Sequence, residues 1–427
     1  QGGVHRSSCE SEGTMGGNKS WRPWAVSLAC FLWLQFTPRL SEVIALLGRP
    51  QPRIGPKPRD VKVARLAAAR RGLAFAPGAE GPEWWDARNS ASPVVLPPDG
   101  RQQRWQMWYY GRAGTAWAKG VDAFLPTGRI GTATSEDGIS WKRLRGPLAQ
   151  GACLDPSTDD ESFDCVHVGV GDVVRWPNGT LWMYYFGGGL DDSMAGRPGL
   201  QMQIGLAASV DGGVSWTRLN GGEPVLGQGE PGSFDALFVS WPRVLPPWVT
   251  ARVPGIPDGK WYMSYHTASF GQSGIAWSAG AAFSDDGLAW VKAEGPVLAG
   301  GPEGSWDARG VGVRSVAVME DGTLAMLYEA VDASGDHAIG LAESADGVRW
   351  EKSTAVPGAA SPGGPLLAKS AGEAAWDGRV VGTPYLVPPP EGEESWRLYY
   401  VGEAKEKPGR RGSPQGHRKH RCQWRDI

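Results

Sequence analysis

Five aspartates stand directly after a Trp or Phe: Trp85-Asp86, Phe163-Asp164, Phe234-Asp235, Trp306-Asp307 and Trp376-Asp377. Successive Asp residues lie 78, 71, 72 and 70 positions apart. A carboxylate can exchange a proton or accept hydrogen bonds from a ligand or from the backbone. Repetition helps to separate these roles. A residue present in every unit is most simply explained by what every unit needs, so the repeated Asp residues read first as ties at the start of each innermost strand.

Residues that break the repeat need another reason. Seven positions after the repeated Asp stand Pro93, Gly171, Pro242, Arg314 and Pro384, followed by Val94, Asp172, Arg243, Ser315 and Tyr385. Asp172 is the one acid in its column. Three positions after the repeated Asp, the series Asn89, His167, Phe238, Gly310, Val380 singles out His167. Directly after the strand tyrosine, Gly111, Phe186, His266, Glu329 and Val401 place an imidazole in the third unit and an acid in the fourth. Such groups move protons or hold polar ligands, and they equally serve as hydrogen-bonding packers.

The elements that must position these residues are strands. Aromatic runs such as WQMWYYG (105–111), LWMYYF (181–186), WYMSYH (261–266), LAMLYEA (324–330) and WRLYYVG (396–402) alternate with apolar runs and turns. Four segments end in an Asp-Gly turn closed by Trp: 135–141, 209–216, 284–290 and 344–350. In such a turn the Asp accepts backbone N–H bonds, the Gly takes positive φ and the Trp folds back. Units of about seventy residues with short strands and hairpins predict an all-β chain: a five-bladed β-propeller of four-stranded antiparallel blades over residues 81–402. The fifth unit reads as incomplete. After residue 402 the expected third strand and turn never arrive, and 403–427 form a divergent tail. Either the leader donates outer strands, with 61–67 (VKVARLA) or 72–77 (GLAFAP) as candidates, or the C-terminus is lost. The pattern favours the second.

Composition narrows the function. The net charge is -2 and no basic stripe lies within the units, which argues against nucleic acid as a partner. The 62 Gly and 34 Pro fit many tight turns. No cofactor motif and no metal-ligand cluster is present among the 5 Cys and 6 His. Cys153 and Cys165 are close enough in sequence to form a disulfide. Asn178-Gly179-Thr180 fits a glycosylation sequon and equally an Asn-Gly hairpin turn.

Residues 1–80 read as a targeting leader. After Met15 come basic residues and an apolar run, Trp24 to Phe36, too short for a membrane span and fitting a signal peptide. Residues 51–75 carry seven Lys/Arg against Asp60 alone, a transit-peptide composition. The two together resemble a bipartite plastid address, with Ala74-Phe75-Ala76-Pro77 similar to its processing motif. Plastid import is therefore the expected destination, secretion or the endomembrane system the alternative. After leader removal no stable membrane span is expected, and the body is expected to be monomeric.

The series W-x-M-Y-Y, then IG-x-A-x-S-x-D-G-x-x-W, preceded by Phe/Trp-Asp, resembles the five-bladed propellers that include arabinanases, xylosidases, invertases, levansucrases and mannoside phosphorylases. Residues 209–216 (SVDGGVSW) also match the Asp-box of sialidases and related propellers. The resemblance spans about 83–402 and implies a carbohydrate or glycoside as partner. It implies hydrolysis or transfer of a glycosidic bond by carboxylates around an axial funnel, one protonating the leaving oxygen and one activating water or attacking the anomeric carbon. Carried over by blade, it makes Asp86 the base, Asp164 or Asp172 the orienter, and Asp235, Glu230 or Glu329 the acid. His167, Arg243, His266 and Arg314 are the candidate substrate-binding residues. The third blade departs from the pattern, since no Glu lies on its inner strand. The rival reading is a propeller that binds sugar or protein without cleaving it.

Overall fold

The computed structural model describes residues 42–49 (backbone only), 73–78, 81–113, 125, 127–193, 196–271, 274–354, 363–372, 375–390 and 395–404. Apart from 3-10 turns and a single α-helical turn (Pro247–Thr250), the described residues that have regular structure are β. The strands are β1 (Glu42–Arg49), β2 (Leu73–Phe75), β3 (Asn89–Leu96), β4 (Trp105–Arg112), β5 (Arg129–Ser135), β6 (Lys142–Leu144), β7 (His167–Arg175), β8 (Leu181–Gly188), β9 (Gln203–Ser209), β10 (Thr217–Arg218), β11 (Phe238–Leu245), β12 (Trp261–Gly271), β13 (Gly274–Ser284), β14 (Trp290–Lys292), β15 (Leu298–Ala299), β16 (Gly310–Val318), β17 (Leu324–Val331), β18 (His337–Ser344), β19 (Glu351–Lys352), β20 (Leu367–Ala368), β21 (Val380–Val387) and β22 (Trp396–Glu403).

Each of the first four repeats folds as an antiparallel sheet in chain order, such as β3-β4-β5-β6. The third and fourth sheets are joined only where Trp277 of β13 lies beside Gly310 of β16. The first strands, β3, β7, β11, β16 and β21, each pack against the next, and β21 packs against β3. Every one carries a bulge, marked by a register shift at Ala91/Val94, Val170/Asp172, Ser240/Arg243, Val311/Arg314 and Gly382/Tyr385. A bulge bends a strand and re-aims the side chains beside it.

The turns staple neighbouring units together. In the first, Asp137 Oδ1 accepts the backbone N–H groups of Ile139 and Ser140 at 2.8 and 2.7 Å. In the next three, the closing Trp216, Trp290 and Trp350 donate their indole N–H to the carbonyls of Gly213, Gly287 and Gly347. The preceding unit reaches the same carbonyls through Trp108, Tyr184 and Tyr262. Tyr399 of the fifth unit donates to Gly138 of the first at 2.7 Å. Much of the aromatic content is therefore structural, and large buried rings such as Trp85, Trp108 and Trp261 fill the core.

The fifth sheet corrects the sequence reading. It has four strands in the order β2-β1-β22-β21 rather than two. β1 pairs with β22 along its whole length, from Glu42 opposite Glu403 to Arg49 opposite Trp396. Ile44 stands opposite Val401, as Ile130 stands opposite Tyr110 and Ile204 opposite Phe186, so β1 occupies the third-strand place. Phe75 of β2 pairs with Ile44 as Leu154 bridges Ile130 and Leu226 bridges Ile204. Of the two donor segments expected, 72–77 contains β2, whereas 61–67 lies outside the described residues. The signal-peptide run and the tail beyond residue 404 also lie outside them. The physical reason for the correction is edge satisfaction: without β1, the backbone of β22 would present an open edge.

Cys153 and Cys165 are both buried free thiols, not a disulfide. Asn178 Oδ1 accepts the N–H of Thr180 at 2.9 Å and Gly179 has φ +95, which is the hairpin-turn geometry. Among the described residues no helix is long and apolar enough to cross a membrane.

Candidate functional site

The repeated Asp residues are held inside their own units. Asp86 is fully buried; its Oδ2 accepts the Tyr109 hydroxyl at 3.1 Å and the Arg143 Nε at 2.8 Å. Burial pushes the Asp86 carboxyl up, against the opposing pull of Arg143. Asp164 takes Tyr185 at 2.9 Å and Arg218 Nε at 2.9 Å. Asp235 takes Tyr265 at 3.1 Å and Lys292 at 2.7 Å. Asp307 takes Lys352 at 2.5 Å, and Asp377 takes the Tyr400 hydroxyl at 2.8 Å. In four units the carboxylate thus ties the start of the first strand to a cation on the fourth, and in four it accepts the second-strand tyrosine.

Asp172, Arg243, Ser315 and Tyr385 meet through the bulged part of the first strands. Asp172 Oδ2 accepts the N–H of Val244 on β11 at 2.8 Å, and Oδ1 accepts Val173 N–H at 2.9 Å and the Tyr385 hydroxyl at 3.1 Å. Arg243 donates from Nε to the Arg314 carbonyl at 2.9 Å and from Nη1 to the Gly171 carbonyl. Its guanidinium lies 4.5 Å from the Tyr385 ring centre. Ser315 Oγ accepts the N–H of Leu386 at 2.9 Å, repeating the Asp172–Val244 link one pair of units on. Burial pushes the Asp172 carboxyl up despite Arg243, and it pushes Arg243 down. This cluster fastens four of the five first strands to one another.

Around the bulges, Ser92, Trp241 and Thr383 each precede a proline and adopt φ of +50, +42 and +43. Non-glycine residues persist there only when the surroundings hold them, and such strain gathers at functional sites. The Trp241 indole N–H reaches from the third unit to Ser92 Oγ of the first at 3.0 Å, with its ring 4.2 Å from Phe186 and 6.0 Å from His266. His266 stacks on Trp277 at 5.6 Å, and burial holds its imidazole well below the usual range. His167 Nε2 is 2.8 Å from the Gly199 carbonyl, and burial lowers it to about 4. Both rings are therefore neutral at neutral pH.

Glu329 differs from the other acids. Its Oε1 lies 2.6 Å from His337 Nδ1, and its Oε2 accepts the N–H of Thr383 at 2.8 Å, directly at the strained bulge of β21. Close by in sequence to the same bulges, Asn89 (both side-chain polar atoms), Ser90 Oγ, Ser240 Oγ and Thr383 Oγ1 are buried and have no hydrogen-bond partner among the described residues. Buried amides and hydroxyls ordinarily find partners, which makes these atoms candidates for contact with a ligand or with water.

Of the residues expected from the sequence, the structure brings Asp172 and Arg243 together and puts Arg314 beside them. It places His266 next to Trp241, and Glu329, on β17, against the first strand β21 of the next unit. Asp86, Asp164 and Asp235 stay apart, each within its own sheet. Trp241, Thr383, Ser240 and His337 were not among the expected site residues. A bulky or β-branched residue before proline, as in Trp241-Pro242 and Thr383-Pro384, was the available signal for two of them. Among the described residues no three His, Cys, Asp or Glu side chains gather as metal ligands.

No protein-family model matches the chain, and no curated protein matches it by sequence. Solved structures do resemble it in fold. One described as a glycoside hydrolase superposes with a TM-score of 0.54 over 82% of this chain and 95% of its own, at 20% identity. A glycosyl hydrolase from Bacteroides ovatus gives 0.51 over 79% and 91%, at 17% identity. An N-acetylgalactosamine deacetylase from F. plautii, in complex with blood group B trisaccharide, gives 0.50 over 78% and 84%, at 16% identity. The chain therefore has an all-β fold of a kind that occurs in glycoside hydrolases, and at these identities the likeness is one of fold.

Proposed function

We propose that the chain is a five-bladed propeller that recognises a carbohydrate at the mouth around the bulged first strands. The observation that carries this reading is the set of uncharged polar side-chain atoms on Asn89, Ser90, Ser240 and Thr383 that are buried and have no partner among the described residues, with Trp241 directly after Ser240 at the bulge of β11. Amides and hydroxyls both donate and accept, as sugar hydroxyls require, and an aromatic face suits the C–H surface of a sugar ring. The cyclic packing of the first strands supports the five-bladed reading.

Cleavage of a glycosidic bond is the second reading, and Glu329 favours it. A glycosidase needs an acid and a base or nucleophile flanking the bond. Asp86, Asp164 and Asp235 are engaged by Tyr together with Arg or Lys, and Asp172 has both oxygens occupied. Glu329 alone among the candidate acids sits with an imidazole at a strained bulge.

Titration calorimetry with a panel of oligosaccharides, paired with product analysis, separates the readings. Binding without turnover, weakened by Trp241→Ala, supports recognition. Turnover that Glu329→Gln abolishes while leaving binding intact makes the protein a glycosidase. If the wild-type chain binds no carbohydrate in the panel, both readings fail.

The targeting reading is kept for residues before Glu42. We propose plastid import with processing upstream of β1, because cleavage near Phe75 would remove β1 and cut into β2 of the fifth sheet. Fusing residues 1–41 to a fluorescent protein tests the address, and N-terminal sequencing of the imported chain tests the processing point.

A further inference from the structure

Arg314 is fully buried, and its Nε, Nη1 and Nη2 have no hydrogen-bond partner among the described residues. The other units place Pro93, Gly171, Pro242 and Pro384 at this point of the first strand. The aromatic strand of the third unit carries Ser264 where others carry Trp108, Tyr184 and Tyr399. β16 packs against β12, the strand that carries Ser264, and the Arg314 charge acts on Tyr262, Tyr265 and His266 of that strand. Ser240 Oγ is likewise buried without a partner among the described residues.

The neighbouring charges are already matched. Asp172 faces Arg243, Asp235 is paired with Lys292, and Glu329 is held by His337 and Thr383. Arg243 adds repulsion rather than relief, and burial lowers Arg314 only to about 9, so it stays charged at neutral pH. A guanidinium taken out of water without a counter-ion is strongly unfavourable. Its planar fork of donors fits an oxyanion, and the Ser240 hydroxyl stands on the adjoining strand β11. Trp241, His266 and Arg314 are 7%, 1% and 0% exposed, and the Trp241 ring lies 6.0 Å from His266.

We propose that Arg314 anchors an acidic group on the bound sugar, a carboxylate or a sulfate ester, admitted past Trp241. This rests on the reading of the mouth as a carbohydrate site. The test is calorimetric titration of the full chain at constant ionic strength with matched pairs: glucuronate and glucose, galacturonate and galactose, galactose 6-sulfate and galactose. Inorganic phosphate is run alongside. The wild type is expected to bind the acidic member about tenfold or more tightly, roughly 1.4 kcal/mol. Arg314→Met should lose that preference and keep neutral-sugar binding, and Arg314→Lys should retain part of it. Should Arg314→Met fail to fold, the wild-type preference and Arg314→Lys decide. Equal binding of acidic and neutral sugars by the wild type overturns the inference and leaves sugar recognition standing. An unchanged preference in Arg314→Met makes the residue a space-filler. Phosphate binding as tightly as the acidic sugar assigns the site to a free oxyanion, and binding of no sugar at all overturns recognition as well.

Discussion

The Asp172 carboxylate on β7 accepts the backbone N–H of Val244 on β11 at 2.8 Å, so a side chain supplies the bond that no strand pairing provides there. The same carboxylate takes the Tyr385 hydroxyl from the fifth unit and balances the buried Arg243. Asp172→Ala is expected to destabilise the protein by about 3–5 kcal/mol, because it leaves Arg243 buried without its counter-charge. Urea denaturation measures this. A variant that folds with wild-type stability and loses only an activity would instead make Asp172 part of a reaction.

Asp86→Asn should behave as a structural variant. The amide keeps a contact to Tyr109 and forfeits the charge that holds Arg143. Asp164→Asn, with the same pattern of partners in the next unit, should lower the denaturation midpoint by a comparable amount. Catalysis by Asp86 would break the equivalence: its variant alone would lose turnover at nearly full stability.

How much of this was legible depended on sequence distance. Tyr109 and Asp86 are 23 residues apart within one repeat, and the repeat itself exposed the strands, the turns and the structural character of the Asp residues. Arg143, Arg218, Lys292 and Lys352 recur near each turn Trp, a visible signal for the cation that meets each Asp. The partners of Asp172 lie 72 and 213 positions away; the repeat lines Asp172 up with Arg243 and Tyr385 in one column, but the spacing does not say which members of that column touch. β1 was harder still: it lies between the apolar run and the basic stretch of the leader, and Ile44-Ala45-Leu46 repeats the third-strand pattern without its glycine.

Adjacent glycines in one turn offer an internally controlled comparison. Gly212 and Gly213 have φ of +80 and +87, but a Cβ on Gly212 would meet nothing within 4 Å, whereas one on Gly213 would sit 2.2 Å from Trp108 Cζ2. Gly212→Ala should cost about 1 kcal/mol for the left-handed backbone alone. Gly213→Ala adds overpacking of about 1–3 kcal/mol and should weaken the Trp108 staple between the first two units. Equal midpoints for the two variants would show that the staple contributes nothing.

Removing β1 tests the closure of the fifth sheet. A chain beginning at Glu42 should unfold cooperatively and remain dispersed, whereas one beginning at residue 80 exposes the β22 edge along eight paired residues. Unpaired edges recruit other chains, so the shorter chain should show self-association in sedimentation and a lower melting temperature. Identical sedimentation and melting of the two chains would contradict the pairing.

His167 supplies a pH prediction whose sign can be worked out. Burial lowers the folded imidazole to about 4, from 6.5 when unperturbed, so between those values the unfolded chain binds the extra proton. Stability contributed by neutral His167 is complete above about pH 6.5 and is lost as pH falls toward 4, with a slope of at most about 1.4 kcal/mol per pH unit. His266, shifted in the same direction, adds to the wild-type slope. The raised carboxyls of Asp86 and Asp172 act in the opposite sense, which makes the absolute slope a poor readout. The difference from His167→Gln isolates one ring, since the glutamine amide can still donate to the Gly199 carbonyl without titrating. Denaturation midpoints at pH 7 and pH 5 should therefore converge between wild type and His167→Gln as the pH falls, and parallel curves would show that the ring is solvated in the folded protein.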